Sequence, residues 1–77
     1  MIIDSISGSG NNNYEYTGAT PNPVGLNFMN DGSADATITV GSIAVTIKAG
    51  ENFDGSFDRF SEVAIVATGA WRLVVRR

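Results

Sequence analysis

The fold class is decided by residues 34–48, which read ADATITVGSIAVTIK. Apolar and polar residues alternate on both sides of Gly41-Ser42, and a period of two residues is the signature of a β-strand. A two-residue loop that begins with glycine suits a type II′ turn and predicts a hairpin. The turn fixes cross-strand pairs that are apolar on one face and polar on the other: Val40 with Ile43, Ile38 with Val45, Ala36 with Ile47, Thr37 with Thr46 and Asp35 with Lys48. Because both faces select one register, the segment predicts an antiparallel β protein.

Short alternating segments separated by turns continue over the rest of the 77-residue chain. Residues 25–48 predict a three-stranded meander, and residues 53–60 an ordered loop anchored by phenylalanines. Residues 61–68 are apolar on both faces, which indicates a central strand that returns in a hairpin to residues 71–76. No window repeats at 3.6 residues, so no helix is expected. The sequence predicts a single all-β domain over residues 1–77, a small antiparallel β-sandwich or barrel of about six or seven short strands.

The N-terminal region, residues 1–13, combines a possible first strand with a tract rich in Gly, Ser and Asn. Residues 7–13 contain no apolar side chain to bury and predict a flexible connector. A strand tethered in this way either pairs within its own sheet or adds to the open sheet edge of a neighbour. No basic segment followed by an apolar one opens the sequence, so we expect no signal peptide and synthesis in the cytoplasm of the cell that makes it.

Composition excludes several kinds of site. The chain has no Cys and no His, which removes disulfides, thiolate metal sites and the commonest general base. A serine nucleophile would need Lys48, the single lysine, which the hairpin already uses. A net charge of −3 argues against a nucleic-acid partner, and no apolar run is long enough to span a membrane. We therefore expect no enzyme activity and no cofactor, and oligomerisation as the means of stabilising a small core.

Two copies of the pattern Asp-Gly-Ser-x-Asp supply the only candidate metal ligands, Asp31 and Asp35 in one copy and Asp54 and Asp58 in the other. Acidic residues at alternate positions resemble the first half of a calcium loop. The glycine and glutamate that complete an EF-hand loop are missing, and Asp-Gly is also an ordinary tight-turn sequence. The pattern leaves a turn and a calcium site as alternatives.

Aromatic and arginine residues give the candidate binding surfaces. Phenylalanine has no polar group and is typical of cores and dry interfaces, whereas tyrosine and tryptophan stack on sugars. The C-terminal arginines fit either a solvated strand edge or a contact to an acidic partner. The interface candidates are Phe53, Phe57, Phe60, Arg72 and Arg76, and the ligand-platform candidates are Tyr14, Tyr16 and Trp71.

The C-terminal two thirds of the chain, residues 25–77, resembles small structural proteins of tailed-bacteriophage virions. The resemblance lies in the hairpin, the segment Lys48-Ala49-Gly50-Glu51-Asn52-Phe53, the aspartate-aromatic stretch to Phe60, a Val/Ile strand and the return Gly69-Ala70-Trp71-Arg72. It implies an all-β protein that assembles with itself and with other virion proteins in capsid decoration, fibres or tails. A carbohydrate-binding or host-surface recognition module is the second hypothesis, with a glycan as partner, and a calcium-stabilised β domain is the third.

Overall fold

Eight β-strands form the regular structure of this chain in a computed structural model that describes residues 1–18 and 22–77. The strands are β1 (Ile2–Ser9), β2 (Asn12–Glu15), β3 (Gly25–Asn30), β4 (Ala36–Val40), β5 (Ile43–Ile47), β6 (Asn52–Ser56), β7 (Glu62–Val66) and β8 (Ala70–Arg76). No helix occurs in these two described ranges. The predicted all-β class is confirmed, and the strands number eight instead of six or seven.

The strands form two four-stranded antiparallel sheets with the orders β1-β8-β3-β6 and β2-β7-β4-β5. The pairs are nested along the chain, because β1 pairs with β8, β2 with β7, β3 with β6 and β4 with β5. The further pairs β3–β8 and β4–β7 join these hairpin-like units into sheets. This is the strand order of a jelly roll. The arrangement is compatible with the predicted small β-sandwich.

The β4–β5 hairpin has the register that the sequence predicts, with Val40 opposite Ile43, Ile38 opposite Val45 and Ala36 opposite Ile47. Gly41 has a φ of 63°, and no described residue other than glycine has a positive φ, which fits a type II′ turn. One expectation for the apolar face is wrong, since 53% of Ile43 is exposed. Ile43 lies at the turn end of the edge strand β5, whereas Ile47 at the other end of the same strand is buried in the core.

Two predicted local connections are wrong, because consecutive strands cross between sheets. β3 and β4 belong to different sheets, so residues 25–48 do not form a meander, and β7 and β8 are likewise separated. The crossing loops pack against each other backbone to backbone at Gly32 and Gly69, where a Cβ on Gly69 would lie 2.9 Å from the Gly32 Cα. Only glycine permits this approach, so these residues serve a crossing and not the tight hairpin turns that were expected.

The tract predicted as a flexible connector belongs mostly to strands. β1 continues to Ser9 and β2 starts at Asn12, so Gly10 and Asn11 alone separate the two strands. Gly8 lies under the indole of Trp71, since a Cβ on Gly8 would be 2.7 Å from the ring atom Cζ2. Here the small residue makes room for a core ring, and its serine neighbours point to solvent. β1 pairs with β8 of its own chain.

The segment expected as an ordered loop, residues 53–60, begins with strand β6, which adds the eighth strand. β6 pairs with β3 over its whole length and places Phe53 opposite Phe28. Its aspartate and glycine suggest a turn, but hydrogen bonding to β3 overrides this local preference. β7 lies between β2 and β4, which confirms that residues 61–68 contain a central strand.

One core joins the two sheets. Leu26, Phe28, Trp71, Leu73 and Val75 come from the sheet of β3 and β8, and the other sheet contributes Tyr14, Ala36, Ile38, Val40, Ile47, Val63 and Ile65. Phe60 and Ala67 complete the cluster from the connecting segments. Asn30, at the end of β3, is the buried polar side chain of this core, with 2% exposed.

Candidate functional site

The aromatic residues expected to form a ligand platform lie mostly inside the core. Trp71 is 1% exposed, its indole N–H donates a hydrogen bond to the Gly10 carbonyl at 2.9 Å, and its ring stacks on Phe28 with centroids 6.0 Å apart. Tyr14 is 5% exposed, and Tyr16 is half-buried against the core. The structure therefore presents no flat face made by these three rings.

The Tyr14 hydroxyl ties β2 to β1. It donates a hydrogen bond to the Asp4 carboxylate at 2.9 Å. Burial of the ring, followed by this hydrogen bond to a carboxylate, raises the pKa of Tyr14 far above its ordinary value, because ionisation would place two negative charges together. The tyrosine is thus a neutral donor across the physiological pH range.

The three phenylalanines expected at an interface form a row along the chain segment after β5. Phe53 and Phe57 have centroids 6.3 Å apart, and Phe57 meets Phe60 edge to face at 6.0 Å. Phe60 is buried in the core, whereas the other two are half-buried and pack against it. Phe60 is consequently a core residue, and only Phe53 and Phe57 keep surface that a partner could touch.

The arginines lie on the outer face of a central strand and not at a sheet edge as expected. β8 runs between β1 and β3. Arg72 donates two hydrogen bonds to Asp31, at 2.8 and 3.0 Å, and Arg76 donates two to Asp54, at 2.6 and 3.3 Å. These ion pairs hold the pKa of both carboxyl groups below the ordinary value, and for Asp54 the side chain of Asn27 adds a further donor.

The four calcium candidates are not brought together as a metal site. Asp31 and Asp54 are each engaged by an arginine of β8, and Asp35 and Asp58 are exposed. Within residues 1–18 and 22–77 no group of three or more acidic side chains is placed to hold a metal ion. The acidic patterns therefore serve ion pairing to β8 in two of the four positions.

A shallow depression of about 370 Å³ lies on the outer face of the β1-β8-β3-β6 sheet. Its lining combines hydroxyl, amide and guanidinium groups with three apolar residues: Ser5, Ile6, Ser7, Asn27, Met29, Arg72 and Val74. Neighbouring strands bring these residues together, because Ser5 and Asn27 both lie opposite Val74. The surface offers hydrogen-bonding groups but no aromatic ring.

The four edge strands differ in how their outward amides are occupied. On β1 the Asp4 carboxylate accepts from the Ser5 backbone N–H at 2.9 Å, and on β2 the Asn12 side chain accepts from the Asn13 N–H at 2.8 Å. β6 carries the charged Asp54. Charges and side-chain caps protect a sheet edge from pairing with another chain. β5 reads Ile-Ala-Val-Thr-Ile and has neither a charge nor a proline.

Sequence reasoning missed the buried Asn30 and the exposed β5 edge. The uncharged composition of β5 was visible, but alternation alone does not tell an edge strand from a central one. Asn30 carried no comparable signal, because its hydrogen bonds join segments that no local pattern connects.

No protein family model matches the chain, and neither a curated protein nor a solved structure matches it. No helix among the described residues is long and apolar enough to cross a membrane.

Proposed function

We propose that this chain is a non-enzymatic structural protein that assembles with itself as a small component of a tailed-bacteriophage particle, in capsid decoration, fibre or tail. The observation that carries this proposal is the nested strand order, β1-β8-β3-β6 and β2-β7-β4-β5. Jelly rolls of this order form viral capsid and lectin domains. Because one fold hosts several functions, the exposed residues must decide between these two.

The exposed residues favour assembly over sugar binding. The tryptophan and one of the two tyrosines are buried in the core, which leaves little aromatic surface for stacking on a sugar ring. The β5 edge, in contrast, offers unpaired backbone groups without charge, which is the chemistry that recognises another strand. Two half-buried phenylalanines, Phe53 and Phe57, give further apolar surface for a neighbouring virion protein.

The direct test is whether the chain is part of a particle. Particles would be purified by density gradient from cells that carry the encoding phage sequence, and their tryptic peptides analysed by mass spectrometry. Cleavage at Lys48, Arg59 and Arg72 yields the two diagnostic peptides 49–59 and 60–72. We expect both in the particle fraction, at a constant ratio to the major capsid protein across the gradient. Their confinement to the soluble fraction would refute the proposal.

The recognition module is the second candidate function, and the polar depression over β1, β8 and β3 is the observation that favours it. Its serine, asparagine and arginine side chains could donate and accept hydrogen bonds to sugar hydroxyls. Binding on a glycan array that is lost in Asn27→Ala, and retained in the control Asn52→Ala on β6, would move this candidate to first place. Absence of binding across the array would remove it.

A further inference from the structure

We propose that the β5 edge binds the β5 edge of a second copy of this chain, in an antiparallel two-fold pair centred on Val45. This inference rests on the proposed function, because it names the surface through which the protein assembles with itself. β5 is the outermost strand of the β2-β7-β4-β5 sheet, and among the strands of residues 1–18 and 22–77 it pairs with β4 alone. Its free side presents backbone N–H and C=O groups that an extended chain can pair with.

The backbone groups that face outward belong to Ala44 and Thr46. In a two-residue hairpin the closing pair, here Val40 and Ile43, exchanges hydrogen bonds, and such pairs alternate with unbonded ones along the ladder. Ile43, Val45 and Ile47 therefore direct their N–H and C=O groups toward β4. The Asn30 side chain donates one hydrogen bond to the Ile47 carbonyl and another to the Ala34 carbonyl, just before β4. The Ile47 carbonyl therefore points to the same side of β5 as β4.

The two-fold register follows from this alternation. With Val45 opposite Val45 of the second copy, Ala44 of each chain lies opposite Thr46 of the other. Both of these are hydrogen-bonded pairs, and together they satisfy the outward N–H and C=O groups of both residues in both copies. An isologous pair of this kind is closed, so it forms a dimer and not an open filament.

The side chains are compatible with this register. Ile43, with 53% of its surface exposed, lies opposite Ile47 of the second copy in a close, unbonded pair, which covers it. On the other face a small alanine meets a threonine. Residues 43–47 carry no charge, and Lys48 falls opposite Ser42, so no like charges face each other.

The other edges are poorer sites for the same pairing. The Gly10 N–H bonds to Gly69 and so points toward β8, and the backbone N–H groups of a strand alternate between its two sides. The Ser5 N–H therefore lies on the open side of β1, where it donates a hydrogen bond to the Asp4 carboxylate. In the same way, the Tyr16 N–H bonds to Ser61 beside β7, so the Asn13 N–H lies on the open side of β2. There it donates a hydrogen bond to the Asn12 side chain. β1 also has an irregular register between Ile2 and Asp4, and such irregularities interrupt edge pairing.

The experiment uses charge complementation at the two outward positions. The double variant Ala44→Lys/Thr46→Lys places lysines opposite lysines in the dimer, and Ala44→Glu/Thr46→Glu does the same with glutamates. Each should raise the dimer dissociation constant at least about 100-fold, because like charges opposite each other are strongly unfavourable. An equimolar mixture should form a heterodimer, with its own mass in native mass spectrometry. Ser7→Lys/Ser9→Lys, with the same spacing on the β1 edge, is the matched control and should remain dimeric.

Light scattering over a dilution series from about 1 mM to about 1 µM covers the range in which weak specific interfaces dissociate. We expect the wild-type mass to fall from two chains to one within this range, and amide exchange at Ala44 and Thr46 to slow in the dimer. Thermal melting of the charged variants at low concentration, unchanged from wild type, would show that they fold. A wild-type chain that stays monomeric, folded charged variants that still dimerise, or a mixture that does not restore the dimer would each overturn the inference.

These outcomes are separable from those of the proposed function. If peptides 49–59 and 60–72 are found in particles, but the wild-type chain stays monomeric or the folded charged variants still dimerise, the β5 pair is refuted and the virion role stands. If the wild-type dimer forms and mixing restores it, but the chain is absent from particles, the β5 pair stands and the virion role is refuted.

Discussion

Asn30 is the residue at which the stability of this fold can be tested most sharply. Its side-chain amide donates to the carbonyls of Ala34 and Ile47, both at 2.9 Å, and its oxygen accepts from the Gly32 N–H at 3.0 Å. Asn30→Leu keeps a similar volume but removes these three hydrogen bonds. At about 1 kcal/mol for each lost bond, the free energy of unfolding should fall by about 3 kcal/mol. A 77-residue domain has about 4–12 kcal/mol in total.

Urea unfolding, followed by the fluorescence of the single tryptophan, measures this loss. With a slope of about 1 kcal/mol per molar urea, the midpoint should fall by about 3 M. Asn27→Ala is the matched control on the same strand, because Asn27 makes one exposed bond, to Asp54 at 3.3 Å, and should cost less than about 0.5 kcal/mol. Asn30→Asp should lose more than Asn30→Leu at neutral pH, since a carboxylate would face two carbonyl oxygens. Equal midpoints for Asn30→Leu and Asn27→Ala would refute the reasoning.

Three further predictions concern the core and the ion pairs. Gly8→Ala should lower the free energy of unfolding by about 1–3 kcal/mol, because the added methyl group meets the Trp71 ring, and a midpoint equal to wild type in urea would contradict this. The free energy of unfolding of the wild type should fall as the pH rises above about 10, the unfolded-state pKa of tyrosine, because folding favours the neutral form of Tyr14. Tyr14→Phe should make this decrease less steep by up to about 1.4 kcal/mol per pH unit, measured by urea titrations at alkaline pH. Arg72→Ala should raise the pKa of Asp31 toward the ordinary aspartate value, measured by carboxyl NMR titration, because the hydrogen bonds from Arg72 lower it in wild type. The wild-type pair stabilises the fold above the unfolded-state pKa, and this contribution is lost as the pH falls through the lower folded-state value.

Local pairing in this fold was predictable from sequence, whereas the assignment of strands to sheets was not. The register of β4 with β5 follows from neighbouring residues and a two-residue turn, so periodicity determines it. The link from β7 to β8 has the same local signals, with Ile65 and Leu73 in a plausible pair, yet it crosses between sheets. The crossing loops pack together at Gly32 and Gly69, which lie far apart in the chain, so no local pattern reveals this contact.

The candidate site shows the same division between local chemistry and long-range placement. That Arg72 and Arg76 would be solvated was visible in their alternation with apolar residues. Their partners, Asp31 and Asp54, could not be inferred, because β3 and β6 reach β8 through pairings distant in sequence. Trp71 was expected in a ligand platform because its residue type suits both roles. Its burial, its stacking on Phe28 and the position of Gly8 beneath its ring assign it to the core.

The nested topology also bears on when the β5 edge is open. Among the strand pairs of the described residues, β4 with β5 is the one whose members are consecutive in the chain; the other pairs close long loops and are expected to form later. A newly formed hairpin therefore has two open sides. Pairing with a second copy along β4 would block β7, which must bond there in the finished sheet. Pairing along β5 leaves the β7 side of β4 open, so the finished sheet can still form. An early hairpin and a folded chain can therefore both associate through β5. It follows that like charges at positions 44 and 46 should weaken the dimer without slowing the folding of the monomer.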